Sequence, residues 1–225
     1  MLFRKSLMTA MALMVASAGS QAFAAFQDPA TASWGGWDRN TGATIYVHWD
    51  DFAYDPDPAP ALTDGTPDVN SYGVAIAGVT ANNPTTLVTS TENLYTPAGP
   101  ANFTVSVIAD VLLDESANGV TVALQLATLG TQLDASSVFL TDGVNSPIIP
   151  DSAESSFSAG FTEWLFLWNL DADVSTYFFN FSSMTNNLSL AAVSVDIGPS
   201  PVPVPAAVWL FGSALLGLGA MRKKG

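Results

Sequence analysis

Through the middle of this 225-residue chain, apolar and polar residues alternate with a period of two, and that period constrains the backbone to β-strands. Ile45, Val47 and Trp49 alternate with Thr44, Tyr46 and His48. Phe103, Val105, Val107, Ala109 and Val111 alternate with Thr104, Ser106, Ile108 and Asp110. Val120, Val122, Leu124 and Leu126 alternate with Thr121, Ala123 and Gln125, and Val193, Val195 and Ile197 with Ser194 and Asp196. Each run turns one side of a strand inward. Gly, Pro, Asn, Asp and Ser interrupt the pattern about every 8 to 12 residues, and no stretch of the body carries a helical period. The pattern predicts an all-β domain of β-sandwich or jelly-roll-like form, with no internal repeat.

Local features refine this. The runs at Phe103 and Val120 flank the turn-rich segment Asp114–Gly119, which predicts a hairpin. Trp164–Trp168 (WLFLW) and Tyr177–Phe181 (YFFNF) are apolar on both sides, as in strands at the middle of a covered sheet, with a turn at Asp171–Asp173. Asp55–Asp68, with four prolines, predicts a long extended surface loop.

The two ends read differently from the body. Arg4 and Lys5, an apolar run over Leu7–Ala18, and the small residues Ala22 and Ala24 around Phe23 form a secretory signal over residues 1–24, cut before Ala25. At the other end, residues 200–225 run from a proline-rich entry through uncharged residues to Arg222, Lys223 and Lys224. About 16 apolar residues after Pro205 span roughly 24 Å as a helix, slightly less than the hydrocarbon core of a bilayer. Trp209 suits one interface and the cations the cytoplasmic one, so the body would lie outside.

Val202, Pro203, Val204, Pro205 and Ala206, then Trp209, Leu210, Phe211 and Gly212 onward to Leu218, then Arg222–Lys224, resemble the PEP-CTERM class of bacterial sorting signals, closest to the variant that reads VPLPA. Val204 stands where that variant has Leu, and no Glu lies between the prolines. The resemblance covers about a tenth of the chain. It implies a Gram-negative cell, export, recognition by an exosortase-like membrane protease after signal peptidase has acted, and removal of the tail near the prolines. It also implies a setting of exopolysaccharide and biofilm. These are expectations carried by resemblance alone.

Residues 25–199 remain as one domain, long enough to bury a core without disulfides, and the chain has no cysteine. Five of its six Lys and Arg lie in the end segments, so the body sets Arg39 alone against 20 Asp and Glu, a formal charge of −19. Such a surface repels nucleic acid, which is bound through basic groups. The body has no lysine for Schiff-base or phosphate chemistry, and one histidine, His48, with no GxSxG elbow to suggest a triad. Among acids that could work in pairs, Asp50 and Asp51 point to opposite sides of any regular strand, and Asp114–Glu115 lies in the expected turn. Glu163, beside Trp164, is the acid of most interest.

The sequence therefore predicts a non-enzymatic, exported cell-surface or matrix protein with no required cofactor. The alternative is a carbohydrate- or calcium-binding module. Sugar stacking would fall to Trp34 and Trp37 in the glycine-rich SWGGWD segment. Calcium would draw on Asp50, Asp55, Asp57, Asp64 and Asp68, without EF-hand spacing.

Overall fold

The computed structural model describes residues 26–39, 41, 44–52, 62–70, 74–109, 119–142, 146–171 and 174–201. Both the amino-terminal signal and the tail from Val202 onward lie outside the described residues. All regular structure within them is strand: β1 (Ile45–Trp49), β2 (Leu62–Asp64), β3 (Val69–Asn70), β4 (Val74–Ala81), β5 (Leu87–Val88), β6 (Leu94–Thr96), β7 (Asn102–Ala109), β8 (Val120–Gly130), β9 (Leu133–Thr141), β10 (Ser152–Ser158), β11 (Phe161–Leu170), β12 (Thr176–Ser183) and β13 (Leu188–Pro199). Among the described residues no helix is long and apolar enough to cross a membrane.

The strands form two antiparallel sheets, as in a β-sandwich. The larger runs β10-β11-β8-β13-β1-β3, with β6 and β5 continuing from β13; the smaller runs β2-β4-β7-β12-β9. Their inner faces share one core. Ile45, Val47 and Trp49 of β1, Leu124 and Leu126 of β8, Phe166 and Trp168 of β11, and Val193, Val195 and Ile197 of β13 meet Val105 and Val107 of β7 and Tyr177, Phe179 and Phe181 of β12. The alternation in β1 and β7 appears in the burial of successive residues, with every second side chain buried.

Three expectations are corrected. First, the Phe103 and Val120 runs do not form a hairpin: β7 pairs with β4 and β12, whereas β8 pairs with β11 and β13 in the other sheet. A turn-rich link serves a crossing between sheets as well as a reversal within one, and the sequence does not separate the two. Secondly, Asp55–Asp68 is not loop throughout, because Leu62–Asp64 pairs with β4. Thirdly, β8 and β13 are buried on both faces rather than alternately. The WLFLW strand does lie inside a covered sheet: Trp164, Phe166 and Trp168 face the core, and Leu165 and Leu167 pack under a second layer. The YFFNF strand does not: Tyr177, Phe179 and Phe181 fill the core, but Phe178 and Asn180 on its other face are only half-buried.

β8 turns into β9 at Gly130, whose φ of 84° belongs to the left-handed region. A Cβ there would also run into the carbonyl oxygen of Asn187. Gly130→Ala should therefore lose about 2 kcal/mol or more through strain and displacement. A urea unfolding midpoint at the wild-type value would contradict this.

Candidate functional site

The second layer over the larger sheet is the chain's own amino-terminal strap, residues 26–39. Its anchor is glutamine chemistry. The Gln125 side chain of β8 accepts a hydrogen bond from the backbone N–H of Gln27 at 2.7 Å and donates to the Gln27 carbonyl at 3.0 Å. One carboxamide thus pairs with the strap as another strand would. Trp34 donates its indole N–H to the Gln27 side chain at 3.1 Å.

Arg39, the body's only cation, pairs with Asp196 of β13. Its Nε and Nη2 donate to the two carboxylate oxygens at 2.6 and 2.8 Å, and Nη2 also donates to the Gln27 carbonyl at 3.0 Å. The guanidinium carbon lies 4.0 Å from the centre of the Tyr46 ring, a cation–π contact. The Asp196 side chain is fully buried and receives further donors from Gln125 and Ser194. Burial pushes the Asp196 carboxyl above its ordinary value, and the donated hydrogen bonds and positive charge of Arg39 offset this only in part. The charged pair is therefore not where the strap gains most. A buried ion pair nets about zero against an apolar replacement. A buried indole removes on the order of 200 Å² from water, about 5 kcal/mol at about 25 cal/mol per Å².

Both strap indoles are placed that way. Trp34 and Trp37 are 9% and 8% exposed and pack on Ala123 and Leu165, edge to face at 5.7 Å. Gly198 leaves room for the Trp37 ring, since a Cβ there would collide with it. This corrects the expectation that these two rings stack on sugar: an apolar side of β8 and β11 needed covering, and the glycine-rich segment brings the indoles down onto it.

Of the aspartates expected to bind calcium, Asp50 and Asp68 are neighbours, whereas Asp64 lies in the other sheet. Asp68 accepts the backbone N–H groups of Asp50 and Asp51 at 2.7 and 3.1 Å, which ties the end of β1 to the segment before β3. Burial pushes the Asp50 carboxyl up, and the neighbouring Asp68 adds to this, while His48 at 3.5 Å pulls it back. Asp64 is buried in β2 of the other sheet, where it accepts the Thr66 N–H at 2.9 Å. Asp55 and Asp57 lie outside the described residues. Among the described residues no three His, Asp or Glu side chains are grouped to hold a metal. His48 is half-buried between Phe26 and Tyr46.

Glu163 points outward from β11 into a depression of about 110 Å³, which Glu154 of β10, Ser156, Gln27 and Phe26 also line. The strand register sets Glu154 diagonally from Glu163. Diagonal neighbours lie roughly 7–8 Å apart, within the range of paired acids in glycoside hydrolysis. The depression, however, is well below the roughly 300 Å³ of a usual ligand pocket. Asp114 and Glu115 lie outside the described residues.

No model of a known protein family matches the chain, and no curated protein matches it. Among solved structures, it is similar to the enzymatically active domain of bacteriophage CBA120 tailspike protein 4, at 12% identity and a TM-score of 0.27, over 68% of this chain and 19% of that one. The chain thus spans about a fifth of that structure, and a likeness this slight assigns neither fold nor activity.

The anchor residues Gln125 and Asp196 were not read as such from the sequence, although a lone cation in an acidic body signals a dedicated partner. Arg39→Met should cost about 3 kcal/mol at pH 7 by leaving Asp196 charged and buried. In that variant Asp196 takes up a proton more readily than in the unfolded chain, so the deficit should narrow as pH falls towards about 4. Replacing the pair together (Arg39→Met with Asp196→Leu) should recover most of the loss. A deficit independent of pH, or no recovery, would contradict this reading.

Asp68→Asn keeps an acceptor for the two backbone donors and removes the charge beside Asp50. Since the raised Asp50 carboxyl weakens the fold as pH rises through its titration, this variant should gain stability at pH 7 and little at pH 4. A melting temperature that calcium raises in the wild type but not in this variant would instead make Asp68 a calcium ligand.

Proposed function

We propose that the chain is an exported, non-enzymatic surface or matrix protein, handled by signal peptidase and an exosortase-like protease, in an exopolysaccharide or biofilm setting. The support is where the folded body starts and stops. Phe26, one residue after the expected signal cut, already packs on Ala127, Ala191 and Ala192. β13 ends at Pro199, and Ser200 donates its N–H to Gly119 at 3.1 Å, just ahead of the proline-rich motif. Both sorting segments can therefore be cut away without removing a residue of either sheet. On this reading residues 206–221 hold the protein briefly in the membrane with Arg222, Lys223 and Lys224 inside, and the acidic body keeps the product soluble.

Intact mass of the mature product tests this. The expected form begins at Ala25 and ends between Pro201 and Ala206. A mature form that retains Trp209–Lys224, or a body recovered only from the cytoplasm, would overturn it. Replacing Arg222, Lys223 and Lys224 by Ser should leave unprocessed precursor in the membrane fraction.

A further inference from the structure

The two sheets treat their outer faces differently. The strap covers the larger sheet; no described segment is arranged in the same way over the smaller one. Its outer face carries two rows of side chains across four strands, set by the register. One row is Thr80, Thr104, Asn180 and Phe139; the next is Gly78, Ser106, Phe178 and Thr141. Phe139 and Phe178 are half-buried and sit diagonally on neighbouring strands. Polar groups beside them are held in place: the Asn82 side chain donates to the Thr104 hydroxyl at 3.0 Å, and Thr104 donates to the Asn180 side-chain oxygen (Oδ1) at 2.8 Å. Ile76, near the start of β4, is 60% exposed and lies across from the half-buried Ile108 in a third row.

No charge stands in either row, although the body carries 20 acids. Asp142 follows Thr141 directly at the end of β9, and Asp134, across from Ser182 near the other end, is bonded to Ser136. Strand spacing makes the two rows about 14 Å wide across the four strands and sets them about 7 Å apart. We infer that this face, the outer side of β4, β7, β12 and β9, binds a neutral polysaccharide laid flat across it.

The chemistry selects that occupant. A polyanion would be repelled by the surrounding carboxylates, and a polycation would settle on those carboxylates rather than on the uncharged rows. A protein interface has an apolar centre with a polar rim, whereas here phenyl rings alternate with amide or hydroxyl groups in the two rows and the apolar pair Ile76 and Ile108 stands to one side of them. Sugar rings present the same alternation, with apolar C–H faces for the phenyls and hydroxyls for Asn, Thr and Ser. The inference takes its setting from the proposed export of the chain, but its chemistry rests on the face alone.

The test is retention of the full chain, purified in mild detergent, on cellulose, curdlan and chitin, with alginate beads as the anionic control. The expected result is retention on at least one neutral matrix, none on alginate, and little change between about 0.1 and about 1 M salt, where screening shortens from about 10 to about 3 Å. Phe139→Ala with Phe178→Ala should weaken retention about tenfold or more. Thr104→Glu, which adds charge to the face and spares both rings, should do the same if the double variant fails to fold. Glu154→Gln and Glu163→Gln, on the other sheet, should leave it unchanged. Failure on all three neutral matrices, retention indifferent to the face variants, or a change of oligomeric state in place of retention would overturn the inference. A chain that binds a neutral matrix yet is never exported would contradict the proposed function and leave this inference standing.

Discussion

The pairing of Arg39 with Asp196 ties the amino-terminal strap to the last long strand, and the covered side of the larger sheet follows from it. Asp196 occupies an outward position on β13, yet its side chain is fully buried because the strap lies over it. A carboxylate in that position needs a counter-charge, and Arg39 is the only cation the body owns. Apolar contact by Trp34 and Trp37 supplies most of the attraction, but it is non-directional. The bidentate pair and the Gln27–Gln125 exchange fix where along the sheet the strap lies.

This arrangement leaves the two outer faces unequal. One side of the sandwich is sealed by the protein itself, with Leu165 and Leu167 under indoles and a small acid-lined depression beside Phe26. The other is a flat field of neutral polar groups and phenyl rings. Among so many carboxylates, an uncharged sheet face is where close approach of a neutral polymer costs least.

How far the sequence revealed this depends on the range of each signal. Alternation is local, so β1 and β7 were legible residue by residue. β8 and β13 alternate just as clearly, but Gln125, Ser194 and Asp196 are buried by a segment about 90 to 170 residues away in sequence, and nothing local announces it. The same distance explains Trp34 and Trp37: their glycine-rich setting looks open until the apolar Ala123 and Leu165 beneath them are known. Asp50 and Asp68 do meet, but as a backbone cap, because two N–H groups at the end of β1 needed an acceptor. The doubly apolar WLFLW strand was the strongest legible sign that something covers the outer side of that sheet.

Native-state hydrogen exchange at the Gln27 amide tests most directly whether the strap is an integral layer. That amide is bonded to the Gln125 side chain rather than to the backbone of a strand. If the strap closes the fold, it should exchange through the same cooperative opening as the amides of β8 and β13, and become fast when Arg39 is replaced. Exchange at the rate of an unprotected amide in the wild type, with β8 and β13 still protected, would show that the sheet holds together without the strap and would contradict the account.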